Sequence, residues 1–121
     1  MNNFNYSDSN VEQFLTDQET AFLTVRDVHF KNALVTIQVT VKNYTLLKEN
    51  KGEDKNEYES IESLELLSES SEVLGFSASE DGFTAVIQWN FFKPRKTMTR
   101  SYKVIGTDVV VDVSEPYPDE R

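Results

Sequence analysis

Residues 34–44 alternate with period two: Val35, Ile37, Val39 and Val41 fall on one side, Thr36, Gln38, Thr40 and Lys42 on the other. Successive side chains of an extended chain point to opposite faces, so this pattern reads as a strand with one buried and one wet face. Phe83 to Phe92 repeats it, with Phe83, Ala85, Ile87, Trp89 and Phe91 set against Thr84, Val86, Gln88, Asn90 and Phe92. The turns that follow these runs are short. Neighbouring strands must therefore pair antiparallel, since parallel pairing needs a long crossover.

Other segments fit the same architecture. Ala21 to Phe30 is rich in β-branched and aromatic residues and, after a break at Lys31-Asn32-Ala33, forms a hairpin with the 34–44 strand. Val73 to Ser79 is extended, and Glu80-Asp81-Gly82 is a tight-turn signal in which the glycine supplies positive φ. Lys93-Pro94-Arg95-Lys96 is a second turn, followed by strands over Thr97 to Ile105 and Val109 to Val113 with Gly106-Thr107-Asp108 between them. Near the start, Ser9 and Glu12 have capping-box spacing, and Val11, Phe14, Leu15, Gln18 and Phe22 line one face at helical intervals. A short helix is expected over 9–18. Residues 48–59 offer almost nothing to bury and are expected to form a mobile acidic loop; 114–121 is a polar tail. Residues 60–72 fit either helix or strand, with 61–67 favouring strand. The fold class expected is mainly β: a single domain over 1–121, an antiparallel six- or seven-stranded meander forming a sandwich or curled half-barrel, plus the one short helix.

Charge is unevenly placed. Residues 49–81 contain eleven carboxylates and only Lys51 and Lys55 as bases, which equals the net charge of −9 for the whole chain. Such a field attracts cationic partners and repels nucleic acid and anionic membranes. Glutamates Glu57, Glu59, Glu62, Glu65, Glu69 and Glu72 are the candidate surface for an Arg/Lys-rich protein partner. The bland counterpart is an acidic run that merely keeps the chain in solution. The basic pole, Lys93, Arg95, Lys96, Arg100 and Lys103, is expected to pair across the sheet with acids on neighbouring strands. Phe92 interrupts its strand's polar side, which predicts partial cover on both faces of that strand.

Chemistry-bearing motifs are few. The chain has no cysteine and one histidine, His29, so thiolate chemistry and two-histidine metal sites are excluded. Asp27 could orient His29, but no nucleophile elbow accompanies them; a solvent-facing strand histidine is the plainer reading. The acids lack EF-hand spacing, and they lack the apolar surroundings that glycosidase pairs require. No cofactor, metal ligand or catalytic residue is indicated. The N-terminus shows no secretory signal and no run is long enough to span a membrane, so a cytoplasmic location is expected.

In bulk properties the chain is similar to small acidic β-rich bacterial immunity proteins that neutralise cationic toxins, and to phage inhibitors that present carboxylates as phosphate mimics; the similarity covers no motif. It implies a non-enzymatic binding protein docking a basic protein partner. Two alternatives stand beside it. One is a small-ligand carrier or enzyme with an aromatic-lined mouth formed by Phe76, Trp89, Phe91 and Tyr102. The other is a homo-oligomeric structural or assembly subunit that buries a strand edge.

Overall fold

The computed structural model describes residues 4–51 and 57–119. Ten strands occur among them: β1 (Phe4–Asn5), β2 (Asn10–Asp17), β3 (Thr20–Phe30), β4 (Ala33–Lys42), β5 (Leu46–Asn50), β6 (Glu59–Ser60), β7 (Ser70–Ser79), β8 (Gly82–Phe92), β9 (Arg95–Ile105) and β10 (Asp108–Val113). All pairings are antiparallel. One sheet runs β1-β3-β4-β10, with β2 also against β3, and the other runs β6-β5-β9-β8-β7. The alternation of β4 and β8 sets the core: Val35, Ile37, Val39 and Val41 face Phe83, Ala85, Ile87 and Trp89 across one shared interior. Trp89 and Val39 are both 0% exposed.

The two sheets curl into a half-barrel. Along one side, the edges of β2 and β7 are joined by side chains instead of a backbone ladder. Ser71 Oγ accepts from the Val11 amide at 2.9 Å, Asn10 Oδ1 accepts from the Ser71 amide at 3.0 Å, and Ser9 Oγ accepts from the Val73 amide at 3.3 Å. These short side chains satisfy amides that an unpaired edge would bury without partners. The opposite edges, β10 and β6, form no ladder with each other.

The expected helix over 9–18 is instead strand β2; no helix occurs among the described residues. The cause is a β-bulge at Glu12. Register slips between Val11 and Gln13, so Val11 and Phe14, three apart, both face the core. Ser9 and Asn10 do accept from backbone amides, as capping residues would, but the amides belong to β7.

The meander also has more strands than six or seven. Residues Lys48–Asn50 complete β5, and Glu59–Ser60 pairs with Lys48 and Glu49, so both ends of the expected 48–59 loop are in ladder; residues 52–56 lie outside the described residues. Residues 61–69 are irregular rather than strand, sinking Leu64 into the core while Leu66 points outward. The tail is held down as far as Tyr117, which exchanges two 2.8 Å backbone hydrogen bonds with Leu34. Residues 120–121 of that tail lie outside the described residues. Phe92, expected to be partly covered, is 63% exposed at the tip of the β8–β9 hairpin. Gly82 has φ of 148°, the conformation its turn position predicts.

Candidate functional site

The inner face of the second sheet changes character along its length. Leu47 and Val104 are opposite one another in the β5–β9 ladder and belong to the core. Two residues on, the same alternation places Glu49 opposite Tyr102, and further along β9 it brings Arg100 and then Met98 into that row. The chain leaving β6 must pass β5, β9 and β8 to reach β7. It does so as the irregular 61–69 segment, anchored by the Ile61 amide on Leu47 O at 3.1 Å and by Leu64 in the core. Near its far end the Ser68 hydroxyl donates to Asn90 O.

Between segment and sheet lies a cavity of about 510 Å³. Its ionisable lining is Glu49, Lys51, Glu62, Glu65, Arg100 and Tyr102; Ile61, Leu67 and Met98 supply apolar wall. Glu49 is only 9% exposed and meets Lys51 Nζ at 3.9 Å, a long contact to a largely exposed side chain. Arg100 Nη1 donates to Lys51 O at 3.3 Å and its Nη2 lies 3.9 Å from Met98 Sδ. The buried Arg100 Nε has no hydrogen-bond partner among the described residues.

Tyr102 links this site to the core. Its hydroxyl accepts the Trp89 indole N–H at 3.0 Å, and Phe14 packs edge-on against its ring at 4.7 Å. Burial is the main reason its phenol is pushed well above the usual tyrosine range. The Trp89 hydrogen bond works against that shift; the Glu49 carboxylate reinforces it by its charge and by hydrogen bonding, and Arg100 opposes it. Tyr102 is thus a neutral, fixed hydrogen-bonding group.

The six candidate glutamates do not form one belt. Glu62 and Glu65 line the cavity, while Glu57, Glu59 and Glu69 are exposed outside its lining. Glu59 sits directly opposite Glu49 across the β5–β6 ladder. Glu72 stands apart on β7, its Oε2 accepting the Asp8 amide at 3.3 Å. Ion pairs within 4.0 Å among the described residues are Arg26–Asp27 and Lys51–Glu49; none involves the six glutamates.

The basic pole does not pair across the sheet as expected. Lys96 and Arg95 face Phe91 and Phe92, Arg100 faces Ile87, and Lys103 lies between Thr84 and Lys48. Strands β8 and β9 carry no acid to offer them. Lys96 Nζ rests 5.6 Å from the Phe91 ring centroid.

Of the four residues considered for an aromatic mouth, Tyr102 lines the cavity and Trp89 is sealed behind it. Phe76 packs on Tyr6 and Phe83, and Phe91 lies beneath Lys96. Asp27 does not orient His29: a second bulge in β3 turns it away, and its Oδ1 accepts the Tyr117 hydroxyl at 3.0 Å. Among the described residues, no three His, Cys, Asp or Glu side chains gather as metal ligands.

Among the ionisable cavity residues, Glu49 and Lys51 were not site candidates in the sequence, and Arg100 was read there only as part of the basic pole. The signal was present in their phase: Glu49 follows Leu47 by two, and Arg100 precedes Tyr102 by two. Compared with known proteins, the chain matches no family, no curated protein and no solved structure.

Proposed function

We propose that this is a non-enzymatic acidic binding protein that docks a basic protein partner through the 57–69 segment, with an immunity-type or inhibitor protein as its most concrete form. The observation that supports this reading is the state of the carboxylates. Glu57, Glu59, Glu62, Glu65 and Glu69 project without an internal ion pair within 4.0 Å among the described residues. Their field is therefore available to an outside cation rather than spent within the molecule. A scaffold that fastens the segment at Ile61 and Leu64 holds these acids at set positions, which lowers the ordering penalty on binding. The same field disfavours nucleic acid and anionic membranes. Glu72, turned towards Asp8 at the far edge, is left out of the docking surface.

The test is capture of a partner from native lysate at low salt, comparing the unaltered chain with the triple charge reversal Glu62→Lys, Glu65→Lys, Glu69→Lys. A basic protein retained by the first and released by the second supports the reading. Equal retention by both removes it.

A further inference from the structure

We infer that the cavity beneath the 61–69 segment receives one arginine side chain of the partner, with Glu49 as its buried carboxylate. This rests on the docking reading above and adds an anchor to it.

Three observations carry the inference. The first is the pairing of Glu49. A carboxylate taken out of water is unfavourable unless well paired. Here the neutral Tyr102 hydroxyl hydrogen-bonds the carboxylate, and the one cation within 4.0 Å of it among the described residues is Lys51 at 3.9 Å, whose side chain is 59% exposed, so an incoming cation can replace it. The second is Glu59, directly opposite Glu49 in the ladder. Like charges facing one another across strands are destabilising, and a cation between or beside them relieves that. The third is the shape of the cavity. At about 510 Å³ it has the size of an ordinary ligand site, and its apolar wall suits the methylene stem of a long basic side chain. A planar guanidinium can donate to Glu49 on the floor and to Glu62 or Glu65 at the rim together, which an ammonium does less well. Arg100 also lines the cavity, but it makes no ion pair with Glu49 within 4.0 Å among the described residues; its Nη1 is held by Lys51 O and its Nε has no partner among them.

The molecule contains its own reporter. Trp89 is the only tryptophan, and its indole N–H donates to Tyr102 Oη, which adjoins Glu49. A guest on Glu49 must therefore perturb a single, identifiable indole resonance. The full chain, labelled with ¹⁵N, is titrated with N-acetyl-arginine amide and, separately, with the neutral isostere N-acetyl-citrulline amide. The expected result is a saturable shift of the Trp89 indole peak with the first and none with the second. Glu49→Gln should weaken that response by about tenfold or more, in line with loss of a charge-assisted pair. Ser63→Phe, an exposed lining position whose substitution fills the cavity without touching the core, should weaken it as well.

The same variants are then tested against a hexa-arginine peptide. Weaker peptide binding in both supports the anchor. Peptide binding unchanged by either variant overturns the cavity inference while leaving surface docking intact. An indole shift with the monomeric probe but no binding of the peptide leaves the cavity and removes the docking reading. An equal shift with citrulline overturns the cation assignment.

Discussion

Tyr102 is the residue through which core and cavity communicate, and its substitution separates the two. Tyr102→Phe keeps the ring against Phe14 but leaves the Trp89 indole N–H buried without an acceptor. The expected loss is about 1–3 kcal/mol, read as a lower urea midpoint at neutral pH. Alkali provides a second test. The phenols of Tyr102 and Tyr6 are both raised by burial. In the unfolded chain they ionise near pH 10, whereas in the folded chain they hold their protons longer. Their contribution is complete below roughly pH 10 and is lost as pH rises beyond it, with a slope of at most about 1.4 kcal/mol per pH unit for each group. Urea melts between roughly pH 8 and 11.5 should show this decline, and Tyr102→Phe should make it shallower. Gly82 makes a different demand. A Cβ there would stand 1.9 Å from Val104 O, and φ is 148°, so Gly82→Ala is expected to destabilise by several kcal/mol, about 3 or more, in thermal or urea unfolding.

At the scale of elements, three bulges account for what was hard to read in the sequence. Val11 and Phe14, Val25 and Val28, and Val73 and Phe76 are each three residues apart and each face the same interior. An inserted residue on one strand lets period-two geometry present an i, i+3 pattern, which is also half of a helical signature. In β2 that pattern, with Ser9 placed like a cap, pointed to a helix; in β4 and β8, whose partners β3 and β7 carry the inserted residues, the alternation was legible throughout. Strand β6 and the Lys48–Asn50 part of β5 were hidden for another reason: their sequence is polar, and they are strands because they pair with β9 and with each other. The β2–β7 seam makes its own prediction. Ser71→Ala should leave the Val11 amide buried and unbonded, at about 1–3 kcal/mol. Because Asn10 bonds the same serine, Asn10→Ala and Ser71→Ala should fall short of additivity in a double-mutant cycle of urea midpoints.

For the whole molecule, the decisive property is segregation of charge. The excess carboxylates were visible in the sequence by simple counting, and two of them, Glu62 and Glu65, do meet at one cavity. Their three-dimensional company was not visible. The inward turn of Glu49, the approach of Arg100 and the separation of Glu72 all depend on which strand lies beside which, and period and composition do not carry that information. Nor was it visible that the basic pole would find only aromatic, aliphatic and hydroxyl neighbours on β8 and β9 instead of acids. Apart from Arg100, which lines the cavity with Glu62 and Glu65, the basic pole faces outward, and the acidic one has a fixed scaffold beneath it. The most direct measurement is the affinity of the full chain for a cationic partner, with hexa-arginine as the probe, followed by calorimetry as salt rises from roughly 0.05 to 0.5 M. Docking through the 57–69 carboxylates requires affinity to fall steeply across that range, and to fall further when Glu62, Glu65 and Glu69 are reversed to lysine. Affinity that holds steady with salt, or that is indifferent to those three reversals, would contradict it.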